Sequence, residues 1–169
     1  MKLILRESDR LVFRLSKREH EALLTTLRMS ALFPLGAQPI SRDAAAGDVV
    51  RSAQEDLNQA LSDHRVEQAA GITGLLTDPL RCACQASGGW QLTLGPADSD
   101  RLLQVLNEIR VGAWEKLGRP DFEKGTRPEI TEENFLCFWA FQLTDLFEGV
   151  LLAALAGDPD ESEESGPPE

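Results

Sequence analysis

Apolar and polar residues alternate at Leu3 and Leu5, and again at Leu11, Phe13 and Leu15, on either side of Glu7-Ser8-Asp9-Arg10. Period-two spacing around a polar turn predicts a hairpin with one buried face. Ser16 follows, with Glu19 three residues on, the reciprocal arrangement of a helix capping box. His20, Leu23, Leu24, Leu27 and Ala31 then recur at helical spacing, until Pro34, Gly36 and Pro39 break the pattern. A second helix starts between Ser41 and Asp48, carries Val50, Ala53, Leu57 and Leu61 on one line, and fades near Gly71 and Gly74. Alternation returns through Leu80, Cys82, Cys84 and Ala86, reverses at Ser87-Gly88-Gly89, and runs back through Trp90, Leu92 and Leu94. Two glycines supply the positive φ values of a tight reversal.

Gly95-Pro96 opens a third helix, because proline in a first turn gives up an N–H that has no partner anyway. Its inward residues are Leu102, Val105, Leu106, Ile109, Ala113 and Leu117, and it stops at Gly118. Residues 119–130 read as a loop. Thr131 caps a fourth helix, with Glu132 and Glu133 at its positive end. The elements predict an α+β fold, mostly helical, in which four helices accompany two β-hairpins forming a small antiparallel sheet. Residues 1–157 read as one globular domain. Residues 158–169, acidic and without aromatics, read as a disordered tail.

Charge narrows the function classes. The 169 residues carry 28 acids and 17 bases, a net charge of −11, and no cluster of Lys and Arg that would neutralise phosphates. Nucleic acid is therefore an unsuitable partner. The apolar stretch from 135 to 156 is long enough for a membrane span. Gln142, Thr144, Asp145 and Glu148 interrupt it, so it is expected to be a buried helix of a protein without membrane contact. Three cysteines, an odd number, suit reduced thiols in the cytoplasm, and the first residues are too short and charged for a signal peptide.

Catalytic and metal patterns are sparse. Cys82 and Cys84 share one strand face, but Cys-x-Cys is not the spacing of structural zinc, and core packing with Leu80 and Ala86 is expected. His20 and His64 lie on or beside apolar stripes and are expected to be structural. No nucleophile elbow, His-Glu-x-x-His, Walker or Gly-x-Gly-x-x-Gly pattern is present, and no metal or cofactor is expected. A polar set remains: Asn107 and Arg110 on the third helix, with Gln142, Asp145 and Glu148 on one face of the fourth. Packed together, these groups form either an interhelix lock that fixes register or a small polar pocket. The fourth helix is apolar on more than one side. Phe138, Phe141 and Val150 add to a stripe of Phe135, Trp139, Leu143 and Leu146, and are candidates for a homodimer interface.

Leu106-Asn107-x-x-Arg110, then Leu117-Gly118, the Thr131-Glu132-Glu133 cap and the helix from Trp139 to Leu151 resemble a bacterial domain-of-unknown-function family found notably in actinobacteria. Phe13-Arg14-Leu15 and Glu21-x-Leu23-Leu24 are compatible with it. The likeness covers residues 90–157 and, more faintly, the first thirty. It implies a small, mainly helical protein with no established activity. Some members lie in gene neighbourhoods with the adaptor of the Clp protease, which implies an accessory role in protein turnover by association. The sequence as a whole points to a non-enzymatic cytosolic protein acting through protein–protein contacts, with a homodimer as the first expectation. The alternative is a small-anion binder or enzyme with its site between helices three and four: Arg110 holds the anion, Asn107 orients it, and Asp145 or Glu148 acts as base.

Overall fold

A computed structural model describes residues 1–33, 47–86, 88–122, 124–125 and 128–157. The expected tail, residues 158–169, and the break at Pro34, Gly36 and Pro39 lie outside the described residues. Strands β1 (Lys2–Arg6), β2 (Leu11–Leu15), β3 (Cys82–Cys84) and β4 (Trp90–Leu94) form one antiparallel sheet in the order β1-β2-β4-β3. The two hairpins thus join through β2 and β4, whose register pairs Leu11 with Leu94, Phe13 with Leu92 and Leu15 with Trp90. Period two puts Leu11, Phe13 and Leu15 on one face with Leu92 and Leu94. That face is buried against helices α1 (Lys17–Arg28), α2 (Asp48–Thr77), α3 (Pro96–Lys116) and α4 (Phe135–Ala156). The fold is α+β and mostly helical.

Local chemistry sets the helix ends. The Ser16 hydroxyl accepts from Glu19 N–H at 3.2 Å while Ser16 N–H donates to the Glu19 carboxylate at 2.7 Å. Together the two bonds complete a capping box. The α3 helix ends in a Schellman-type turn. Gly118 there has φ +83°, its N–H donates to Glu115 O at 3.1 Å, and Arg119 N–H donates to Trp114 O at 3.0 Å. Thr131 caps a turn that leads into α4. Its hydroxyl accepts from Asn134 N–H at 3.3 Å, and Asn134 Oδ1 accepts from Thr131 N–H at 2.8 Å. Regular α-helix begins one turn later, at Phe135.

Three expectations are corrected. Leu5 does not continue the buried alternation of Leu3. A bulge at Ile4 shifts the register, so Leu3 pairs with Phe13 but Leu5 pairs with Val12, and Leu5 is 42% exposed. Of the expected β3 face, only Cys82 is buried; Cys84 is exposed and Leu80 is 89% exposed. The cause is that β3 is a three-residue edge strand, so Leu80 and Ala86 fall beyond the sheet and its helical cover. Finally, α2 does not fade at Gly71 and Gly74 but is buried there, through Ala69, Ile72 and Leu76. At 1.5 Å of rise per residue the helix is far longer than a five-residue strand, about 45 Å against about 17 Å. Ala53 and Leu57 therefore stand clear of the core.

At Gly112 the α3 backbone lies close against Phe33. A Cβ there would lie 2.7 Å from Phe33 Cβ and 2.8 Å from Phe33 O. In α2, by contrast, a Cβ at Gly74 meets nothing within 4 Å. Gly112→Ala should therefore lose about 1–3 kcal/mol through forced backbone displacement. Gly74→Ala should gain about 0.5–1 kcal/mol from helix propensity. Urea unfolding of the two variants checks the pair; a gain at both sites would mean that α3 does not approach Phe33 so closely.

Candidate functional site

Helices α3 and α4 pack along their length, and part of the polar set of the sequence meets at this junction. Arg110 Nε lies 2.7 Å from Glu148 Oε2, and Arg110 Nη2 donates to Asn107 Oδ1 at 3.0 Å. Glu148 faces inward with 7% of its surface exposed, between Thr144 and Leu151 on the buried side of α4. The Nε–Oε2 contact has ion-pair distance without hydrogen-bond direction, so Arg110 Nε is buried without a hydrogen bond, and the other carboxylate oxygen, Glu148 Oε1, is buried without a partner. Burial pushes the Glu148 carboxyl above its ordinary range. The Arg110 guanidinium pulls it back, and neighbouring Asp145 adds to the rise. Asp145 and Gln142 are themselves exposed and stand outside the pair. Thr144 satisfies its buried hydroxyl by donating to Ala140 O at 2.9 Å.

Beside the pair is a cleft of about 290 Å³ lined by Arg110, Val111, Trp114, Phe122 and Phe141. Phe122 stacks on Phe141 with ring centroids 5.1 Å apart, and Trp114 Nε1 donates to Pro120 O at 3.0 Å. Pro120 and Phe122, just after α3, are thereby held against the helix pair. The guanidinium, 35% exposed at its side chain, is the one charged group in the cleft wall among the described residues. The arrangement can hold an anion or a planar ring against Arg110, and among the described residues no side-chain nucleophile lines it.

The other candidates are dispersed. His20 is buried, stacks on Trp90 at 4.1 Å, and has Nε2 3.3 Å from Leu76 O. His64 is exposed and bonded to Gln68 at 2.8 Å. Burial pushes the Cys82 thiol up to about 11, which keeps it protonated at neutral pH. Among the described residues no three His, Cys, Asp or Glu side chains gather as a metal site.

On α4 the core-facing side differs from the expected stripe. Ala140, Thr144, Phe147, Glu148, Leu151 and Ala154 are buried, whereas Phe135 is 57% and Leu146 54% exposed. Phe138, Phe141 and Val150 are half-buried, with Phe141 and Val150 packed on the core. The outward line is Phe135, Trp139, Gln142, Leu146, Gly149 and Ala153, all exposed except the half-buried Trp139. Its spacing of four, three, four, three and four residues is the heptad seam of paired helices. That spacing stood in the sequence, but an all-round apolar helix hides it. By length and composition α4 could also cross a membrane, with mean hydropathy 1.5, as core helices of soluble proteins can.

No family model matches the chain, and no curated protein or solved structure matches it.

A raised carboxyl pKa means the folded protein protonates Glu148 at higher pH than the unfolded chain does. The cost of its charge is absent below the ordinary value of 4.5 and complete above the raised one. Removing the cation enlarges that cost. Arg110→Met should lose about 1–3 kcal/mol at pH 7, less than for a fully buried pair because the guanidinium is partly solvated. The loss should shrink near pH 4. Urea unfolding at both pH values checks this, and equal losses would assign Arg110 a packing role only.

Proposed function

We propose that the protein acts through protein–protein contact along the outward seam of α4, with a second copy of the chain as its first partner. The observation that carries this reading is the heptad spacing of Phe135, Trp139, Gln142, Leu146, Gly149 and Ala153 on a solvent-facing helix side. A single exposed leucine is ordinary, but a mainly apolar line along a 22-residue helix is what a helix partner covers. Gly149 and Ala153, one turn apart, leave room for a close approach, and a Cβ at Gly149 would meet nothing within 4 Å in its own chain. Gln142 places one amide within the seam, a device that favours one register of pairing over others.

A second reading is supported by the aromatic cleft at Arg110, which suits a small anionic ring compound. It is the weaker one, because Glu148 and Asn107 already hold the guanidinium.

Sedimentation velocity tests the first reading. The chain should sediment as a dimer and Leu146→Glu as a monomer with unchanged helicity. Leu80→Glu, at an exposed leucine outside α4, should remain a dimer. A monomeric parent chain at about 100 µM would overturn the reading.

A further inference from the structure

We propose that the cleft between the β1–β2 turn, the first turn of α3 and the last turn of α4 binds a small oxyanion carried on an apolar body. The cleft holds about 440 Å³. That is within the usual range of roughly 300–1,000 Å³ for ligand sites. It lies on the opposite side of α4 from the seam, next to Ala154, and does not rest on the dimer reading.

Three observations converge. First, the 21-residue α3 presents its positive end here, and its N-cap, Gly95, has no side chain to satisfy the first-turn N–H groups. Second, Ser99 lines the cleft at 1% exposure with a hydroxyl that has no partner. Thr26, Thr73 and Thr144 each donate to a carbonyl one turn back in their helices, so an unsatisfied Ser99 is a departure from this chain's own pattern. Third, Arg6 lines the same cleft and has no carboxylate partner among the described residues. Its Nη2 donates to Leu155 O at 3.0 Å, which anchors the guanidinium at the negative, C-terminal end of α4 and supplies no full countercharge.

Two of the nearby acids are matched. Arg10 Nε binds Glu7 at 2.7 Å, and Arg81 lies 3.3 Å from Asp98, the acid of α3's first turn. Among the residues that line the cleft, Arg6 and Arg10 stand against one acid, Glu7, so one guanidinium is in excess beside a helix terminus, which suits a single anionic headgroup. Leu11, Leu94 and Ala154 supply an apolar floor, so the ligand needs a hydrocarbon part as well. A carboxylate and a phosphate monoester share this chemistry.

NMR titration of the full chain with hexanoate and with hexyl phosphate tests the proposal. The amides of Ala97, Asp98 and Ser99 should shift saturably with Kd at or below about 1 mM for at least one probe, and the tighter probe identifies the headgroup. Ser99→Ala, which alanine's helix propensity keeps folded, should weaken binding about tenfold, as should Arg6→Gln. Inorganic phosphate and hexanol should bind more weakly than the probes that combine both parts. No saturable shift up to about 10 mM, or unchanged affinity in Ser99→Ala, would overturn the site.

Discussion

A helix that is apolar all round has no preferred rotation about its own axis, and α4 acquires one from the ion pair between Glu148 and Arg110. Turning Glu148 inward costs desolvation, and only a partner cation close at hand offsets it. Arg110 on α3 stands at 2.7 Å, fixed in turn by Asn107. Once Glu148 is held there, helical periodicity places Ala140, Thr144, Phe147, Leu151 and Ala154 in the core. The same periodicity leaves Phe135, Leu146 and Ala153 outside, with half-buried Trp139 at the edge of the core. The pair adds little stability compared with a well-packed apolar alternative. It specifies which side of α4 the domain keeps and which it offers.

That division organises the functional proposals. The offered side carries the seam proposed to pair with a second copy. The kept side ends at Ala154, where the last turn of α4 forms one wall of the cleft holding Arg6 and Ser99. An orphaned serine hydroxyl, a helix with no side-chain cap and a guanidinium with no carboxylate partner among the described residues are each tolerable alone. Together they describe a site whose natural complement is negative charge.

Much of the fold is legible in the sequence because local signals and tertiary packing agree. Ser16 and Glu19 announce α1, Gly95-Pro96 announces α3, and the alternation of Leu11, Phe13 and Leu15 survives intact against Leu92 and Leu94. The failures have physical causes. A bulge at Ile4 is a register event that alternation cannot reveal, so the pattern alone puts Leu5 on the wrong face. The line Val50, Ala53, Leu57 and Leu61 is helical, yet periodicity does not say whether any neighbour covers it. In α4 the contrast between faces is too weak to distinguish core from surface, and the pattern exchanges Phe135 and Leu146 with Phe147 and Leu151. The polar residues carry the missing information: Glu148, three residues from Asp145, is the one that has to find Arg110. Ser99 escapes a reading of the sequence because a lone serine in a first turn has no pattern; only its missing partner marks it.

The most direct measurement of the central claim is an isotope-filtered NOE experiment on a dimer mixed from labelled and unlabelled chains. The account predicts intermolecular contacts from the Leu146 methyls and the Trp139 ring, with none from Phe147 or Leu151. Intermolecular contacts from Phe147 or Leu151, or none at all in a sample that sediments as a dimer, would contradict the orientation of α4 and the interface built on it.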